Sequence, residues 1–306
     1  NAWGVCSPGH RAGIRWGRRR QEKAWPSMIV LSYYQTRPLL AARQQSQPSA
    51  TISPDLGLTT TEVRLDPDEV IFPTGEKLTW GDVRRISSNE KQCFLLEGQA
   101  IRPIHVYSEA TNWVRTLFAT PSAPTTIVAG FPMHRIQDTT PREDTLKKIA
   151  AIAPVIGQVL DTATGLGYTA IEAARTAEHV TTIELDPAAL ELARFNPWSR
   201  DLFDNPRITQ LLGDAAELIE TFPERSFARI IHDPPILNLA GDLYSGAFYS
   251  QLYRVLTAKG QLFHYIGDLA SHSGGRTAAG VVRRLQEAGF RRVARHPEAF
   301  GVVAFK

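Results

Sequence analysis

Val159-Leu160-Asp161-Thr162-Ala163-Thr164-Gly165-Leu166-Gly167-Tyr168-Thr169 is the stretch on which the fold turns. It leaves a short apolar run, Val155 to Leu160, at an acid and passes through two glycines into a segment of helical content. An apolar run of that length suits a parallel strand buried on both faces. Glycines at the handover permit a tight turn and let a ligand approach the backbone. The N–H groups at the start of the next helix then face that ligand. Taken alone, Gly165-Leu166-Gly167-Tyr168-Thr169-Ala170 also fits the G-x-G-x-x-A loop of dinucleotide sites.

The residues further along decide between these readings. Twenty-three positions after Asp161, Thr181-Thr182-Ile183-Glu184 ends a second strand in an acid, a position that accepts hydrogen bonds from both ribose hydroxyls. Thirty positions on, Leu212-Gly213-Asp214-Ala215 ends a third, where an Asp can accept from an adenine amino group. Nineteen later comes Ile231-His232-Asp233-Pro234-Pro235. Any one of these acids is equally well a helix cap. Four in order at successive strand ends favour an adenosyl cofactor over a nicotinamide one. Strands are predicted at 155–160, 180–184, 207–212, 227–232 and 261–266, with helices at 167–177, 187–196, 215–221, 245–256 and 277–288. Such alternation predicts an α/β doubly wound sheet. Leu146, Ile149, Ala150 and Ile152 predict a preceding helix with an apolar face, and 291–295 with 302–305 a terminal hairpin.

Asp161 to Glu172, Asn196-Pro197-Trp198-Ser199-Arg200, Ile231 to Pro235, Leu239 to Ser245 and Leu262-Phe263-His264-Tyr265 together resemble the class I S-adenosylmethionine-dependent methyltransferase family often called predicted archaeal methyltransferases. The resemblance covers about 143–290, and Gly130 to Arg135 resembles the segment preceding that family's catalytic domain. It implies a Rossmann-like sheet, S-adenosyl-L-methionine as cofactor, and a cofactor site at Asp161, Ala163, Gly165, Gly167, Tyr168, Glu184, Leu185, Asp214 and Ala215. Asp161 would lie near the cofactor's amino-acid end. Ala163 stands where the common pattern has Gly, and is compatible if its φ stays negative. The family does not supply a substrate.

Asp233-Pro234-Pro235 is similar to the motif of methyltransferases that act on planar amino nitrogens, in which the acid and a Pro carbonyl accept hydrogen bonds from the target amine. Orientation of that kind carries most of such a transfer. The fourth motif position is Ile236 rather than an aromatic, which weakens the case for a nucleobase; Tyr244, Phe248 or Tyr265 can substitute. His264 and Tyr265, at the end of the fifth strand, are expected to flank the acceptor beside Asp233, Pro234 and Pro235. His232 reads as a packed histidine, Asn196–Arg200 as structural with Trp198 or Arg200 lining the adenine side as the alternative, and Met133-His134-Arg135 as a roof or a crossing between domains. The arginines at 283, 284, 291, 292 and 295 read as a solvated face.

Two domains are expected: a small β-rich one over 28–140 and the Rossmann-like one over 141–306. Strand-like segments at Leu58–Leu65, 70–72, 93–96, 104–107, 113–118 and 125–129 support the first, with a short helix from Leu78 to Ile86 and a Gln/Ser/Pro-rich linker at 43–55. It carries none of the cofactor motifs, so it is expected to choose the acceptor rather than bind the cofactor. Residues 1–27 hold six Lys/Arg and one acid without apolar periodicity, and Met28 opens the first apolar stretch. They are expected to be a disordered, non-native leader, the functional alternative being a basic arm on phosphates. Residues 28–306 then hold 28 basic and 30 acidic side chains, which excludes a generally basic nucleic-acid binder. Two distant cysteines, Cys6 and Cys93, fit neither a zinc pattern nor a disulfide framework, and no apolar run is long enough for a signal or membrane span. A cytoplasmic protein without metal is the expectation. Methyl transfer to nitrogen or oxygen of a small molecule or RNA leads. Aminopropyl transfer to a polyamine, as in spermidine synthases, and non-catalytic S-adenosylmethionine binding are the alternatives.

Overall fold

The computed structural model describes residues 28–235 and 241–306. The leader expectation for 1–27, with Cys6, and the reading of Ile236 lie outside the described residues.

Three small antiparallel sheets come first. β1 (Ile29–Leu31) leads through Ser32 into α1 (Tyr33–Gln44). Ser32 starts this helix with a capping box: its hydroxyl accepts from Tyr34 N–H, and Gln35 Oε1 accepts from Ser32 N–H at 3.0 Å. β2 (Ser49–Ile52), β3 (Thr61–Leu65), β4 (Glu69–Ile71) and β5 (Lys77–Thr79) form a meander, followed by α2 (Trp80–Ser87). β6 (Phe94–Glu97) and β7 (Ala100–Pro103) complete a sheet with β1 in the order β1-β6-β7. β8 (His105–Ser108), β9 (Trp113–Phe118), β10 (Thr125–Val128) and β11 (Phe131–Pro132) make the third, ordered β11-β10-β9-β8.

The linker expected at 43–55 is corrected. α1 runs to Gln44, and 49–52 form β2, paired antiparallel to β3. β2 is an edge strand that buries Ile52, which is why its composition is polar enough to pass for a connection. The strand expected from Leu58 begins only at Thr61, and Leu58 is exposed.

The second half follows the predicted alternation. It comprises α3 (Pro141–Ala151), β12 (Gln158–Asp161), α4 (Tyr168–Ala173), β13 (His179–Glu184), α5 (Pro187–Arg194), α6 (Arg200–Asp204), β14 (Ile208–Leu212), α7 (Ala215–Thr221), β15 (Phe227–His232), α8 (Gly246–Val255), β16 (Leu256–Tyr265), α9 (His272–Glu287), β17 (Arg292–His296) and β18 (Gly301–Phe305). The seven strands form one sheet in the order β14-β13-β12-β15-β16-β18-β17. The first five are parallel, and β18 runs antiparallel between β16 and β17. The fold is therefore Rossmann-like and doubly wound, preceded by a β-rich part. Strand order reverses between β12 and β15, and the crevice at the carboxyl ends of those strands is where such sheets hold ligands.

One apolar core runs through both halves, joining Leu95, Ile104 and Leu117 to Val159, Leu166 and Val180. Cys93 is buried within it. Helix α3 departs from its apolar reading: Leu146 is 40% exposed, while Asp144 and Lys148 are fully buried. Among the described residues no helix is long and apolar enough to cross a membrane, and no group of His, Cys, Asp and Glu is placed to hold a metal.

Candidate active site

The glycine loop is built as its residues dictate. Gly165 (φ 51°) and Gly167 (φ 78°) take left-handed conformations that L side chains rarely adopt, whereas Ala163 keeps a negative φ and fits without strain. A Cβ on Gly165 would meet nothing within 4 Å, so the loop leaves room for a ligand there. A Cβ on Gly167 would lie 2.7 Å from Leu202 Cδ2: this glycine serves the packing of α4 against α6, and it is not on the cavity wall.

The loop opens on a cavity of about 310 Å³, which also receives Glu184, Leu185, Asp214 and Ala215 from the ends of β13 and β14 and Asp233, Pro234 and Pro235 from the end of β15. Ala163, Gly165 and Tyr168 line it as well. Glu184 joins two loops: Gly165 N–H donates to its Oε2 at 2.8 Å and Asp186 N–H to its Oε1 at 3.0 Å. Burial pushes the Glu184 carboxyl up against the pull of these bonds. Asp214 caps α7 by accepting from Ala216 N–H at 2.8 Å.

Asp161 is placed differently. It is fully buried and off the cavity wall, and accepts from Thr169 Oγ1 (3.0 Å), Thr182 Oγ1 (3.2 Å) and Ala163 N–H (3.4 Å). It orders the loop from behind, and burial pushes its carboxyl up to about 7.

His264 and Tyr265 are not on the cavity wall either, and they lie on opposite faces of the sheet because they are consecutive in a strand. His264 Nε2 is 2.8 Å from Tyr249 Oη on α8, and its ring lies 4.3 Å from that of His232. Tyr265 faces α3, with Lys148 Nζ 4.5 Å from its ring centroid. The pair expected to flank the acceptor is thus divided between two layers. His232, read as packed, is buried: Nε2 donates to the Leu243 carbonyl at 2.9 Å, so Nδ1 accepts from Thr162 Oγ1 at 2.7 Å. Burial lowers its pKa to about 3, and the neutral ring ties the glycine loop to the segment beyond the Asp-Pro-Pro turn.

Several residues on or beside this cavity escaped the sequence reading, and Met133 and His134, read as a roof or a crossing, are on its wall. Lys148 donates to Asp233 Oδ2 at 2.6 Å and lies 2.8 Å from Asp144 Oδ2. Arg115 and Trp113 on β9, Thr126 and Val128 on β10, and Met133 and His134 beyond β11 also wall the cavity. Arg115 Nη2 donates to Asp186 Oδ2 at 2.6 Å, in a bridge whose carboxylate is buried and whose guanidinium is half-buried. Burial alone would raise the Asp186 carboxyl, but hydrogen bonds from Ser108, Ala188 and Arg115 hold it below its ordinary value. His134 lies over Tyr168, and burial lowers its pKa to about 3, with Lys148 adding to the effect. The N-terminal half therefore shares the cavity on which the cofactor motifs converge, through Thr111, Trp113, Arg115, Thr126 and Val128. The sequence signals for this were Met133-His134-Arg135, read as a roof or a crossing, and the turn pattern of Asp186-Pro187, an N-cap followed by Pro at N1.

Asn196–Arg200 turns out to clamp the loop. Asn196 Nδ2 donates to Tyr168 Oη (2.8 Å), Ser199 Oγ to the Leu166 carbonyl (2.7 Å) and Trp198 Nε1 to the Leu56 carbonyl (3.1 Å). Trp198 and Arg200 line a second cavity of about 220 Å³ behind α4, not the main one.

No protein-family model matches the chain. The chain is 38% identical over 289 residues to the uncharacterized protein MJ1233 of Methanocaldococcus jannaschii, an alignment covering 92% of this chain and 98% of that protein. Among solved structures it is similar to a spermidine synthase in complex with the transition-state analogue AdoDATO, with a TM-score of 0.54 at 20% identity over 67% of this chain and 75% of that one. It is also similar to the spermidine synthase from Thermotoga maritima, with a TM-score of 0.52 at 20% identity over 67% and 74%. At that identity these likenesses establish the fold.

Proposed function

The chain belongs to the family of the Methanocaldococcus jannaschii protein MJ1233, and we propose that it is an S-adenosylmethionine-dependent methyltransferase acting on a nitrogen of a small molecule or RNA. The observation that carries this is the convergence on one cavity of the glycine loop, Glu184, Asp214 and Asp233-Pro234-Pro235, four chain segments at the carboxyl edge of the sheet.

In this reading Glu184 takes the ribose hydroxyls, Asp214 and Leu185 border the adenine, and Ala163 and Gly165 admit the amino-acid end through their backbone. The donor set fits such a group: buried or half-buried acids with oriented acceptors at one end, and open space over Gly165. When bound, the cofactor supplies a methyl on a cationic sulfur, and a nitrogen–carbon bond forms as the sulfur–carbon bond breaks, the acceptor's proton passing to solvent. Asp233 and the Pro234 carbonyl orient the acceptor nitrogen. The N-terminal half contributes apolar side chains, Trp113, Val128 and Met133, to the same cavity wall. Incubation with methyl-labelled S-adenosylmethionine and cell extract, split into RNA, protein and metabolite fractions, should label one fraction. Tight binding with no labelled fraction would favour a non-catalytic binding protein.

Aminopropyl transfer is the second reading, since the fold is that of spermidine synthases and the cavity wall includes Asp242, an exposed acid. Binding favouring the decarboxylated cofactor over S-adenosylmethionine would establish it.

A further inference from the structure

Helix α3 turns its charge inward. Its apolar Leu146 is exposed, while Asp144 and Lys148, one turn apart, are sealed beneath it. Burying ions is costly unless each finds a partner, so a helix arranged this way signals a site rather than a scaffold. The partners form a closed set. Lys148 Nζ reaches Asp233 Oδ2 at 2.6 Å and Asp144 Oδ2 at 2.8 Å, and Arg135 Nη1 lies 3.4 Å from Asp144 Oδ1. Two cations face two carboxylates, and the network is neutral.

Asp233 is on the cavity wall and Lys148 is not. The ammonium therefore grips the carboxylate from behind. Burial would strip Lys148 of its proton, but the two carboxylates reverse this and hold its pKa above the ordinary value. Burial pushes the Asp233 carboxyl up against the pull of Lys148, and the carboxylate that borders the cavity is balanced by an ammonium 2.6 Å away.

We propose that Lys148 is a positioning residue which fixes the Asp233 carboxylate and cancels its charge, so that the site takes an uncharged nitrogen acceptor and rejects di- and polyammonium chains. This rests on the reading of Asp233 given under Proposed function. The remaining geometry agrees. Lys148 occupies Oδ2 of Asp233, and Tyr244 Oη donates to the Pro235 carbonyl at 3.1 Å. Among the described residues, Asp233 Oδ1 and the Pro234 carbonyl have no hydrogen-bond donor, a pair of acceptors that matches the two N–H groups of a neutral amine or amide. A polyammonium chain needs uncompensated carboxylates. Of the other acids on the wall, Asp186 is bridged to Arg115, Glu184 and Asp214 have no cation partner among the described residues but are the acids the proposed reading assigns to the cofactor, and Asp242 lies exposed, where a contact to an ammonium is weak. The imidazole on this wall, His134, is neutral.

The test is calorimetric titration of the full chain with putrescine and with spermidine at low salt, with and without saturating S-adenosylhomocysteine. The proteins compared are wild type, Lys148→Met, Lys148→Arg and the double variant Asp144→Asn/Lys148→Met. The double variant removes one charge of each sign, so the interior of α3 stays balanced while Asp233 is left bare. Wild type and Lys148→Arg should give no saturable binding in the millimolar range. Lys148→Met and the double variant should gain it, tightening by at least about tenfold, as a freed charge-assisted contact allows. S-adenosylhomocysteine affinity should stay within about twofold throughout. Wild-type binding of either amine as tight as the variants', or no gain in either variant, overturns the proposal. Loss of S-adenosylhomocysteine binding in wild type would instead strike the cofactor reading, and the titrations on free protein would still decide the role of Lys148.

Discussion

Glu184 is the residue on which the cofactor assignment is most exposed to test. Its carboxylate already accepts two backbone N–H groups, from Gly165 at 2.8 Å and Asp186 at 3.0 Å. An adenosyl ribose would add two hydroxyl donors to the same group. Hydrogen bonds to a charged acceptor contribute about 1.5–3 kcal/mol, so Glu184→Ala should weaken S-adenosylhomocysteine binding roughly 10- to 150-fold. The substitution also frees the glycine loop and the start of α5, and part of the loss could come from that loosening. A 2′-deoxyribose form of the ligand separates the two causes. Wild type should bind it distinctly more weakly than the parent ligand, and Glu184→Ala should no longer discriminate, giving a coupling energy of about 1 kcal/mol or more. Calorimetry measures all four affinities, and thermal melts run alongside report the structural loss. Wild-type affinity in the variant refutes the ribose contact outright. A variant that still discriminates between the two ligands leaves Glu184 as a loop support only.

Arg115→Ala leaves Asp186 buried without its guanidinium and should cost about 3–5 kcal/mol. Because the Asp186 carboxyl is held below its ordinary value, this contribution is present above pH ~4 and fades as pH falls through the depressed value, so equal stability of the two proteins at neutral pH would contradict the bridge. Gly167→Ala places a Cβ 2.7 Å from Leu202 Cδ2 at φ 78° and should destabilise by about 1–3 kcal/mol, read as a fall of several degrees in melting temperature; an unchanged melt would show that α6 yields freely. Asp161 titrates at about 7 in the fold, well above its unfolded value, so the stability linked to it is full below pH ~4 and drains away as pH rises through about 7. Asp161→Asn should flatten that slope, and retention of the wild-type slope would place the titration elsewhere. Asp233→Ala should abolish transfer to the labelled extract fraction while leaving S-adenosylhomocysteine affinity within a few fold; near-normal transfer would move the reacting centre away from the Asp-Pro-Pro turn.

What could be read without a structure was whatever is encoded locally. The strand read at 155–160, which begins only at Gln158 because Ile156 is exposed and Gly157 turns at φ 67°, the acids at 161, 184, 214 and 233, and the helices between them follow from periods of two and 3.6 and from caps that act within a few residues. These reach the alternation and hence the sheet, and β13, β15 and α7 fall where the pattern places them. One failure was avoidable. His264 and Tyr265 are adjacent in a strand, and the pleat alone sends them to different layers. The polar stretch at 43–55 misled because an edge strand needs to bury only one side chain, Ile52, to hold its place.

Other features have no local cause. Asp161 looks like Glu184 in the sequence, yet Thr169 and Thr182, 8 and 21 residues away, consume it inside the loop. Arg115 meets Asp186 across 71 residues, and Lys148 meets Asp233 across 85. The face of α3 that points inward depends on which carboxylates the sheet has gathered beneath it, since a buried ammonium is stable only where they wait. From residue 141 on, the short-range pattern of the chain was enough to order the strands and helices and to put acids at the strand ends, whereas α1 and β2 were missed. Tertiary structure alone decided which acids face the cavity, which are neutralised, and that the N-terminal sheet lines the site, because charge compensation in the interior is set by distances between segments far apart in sequence.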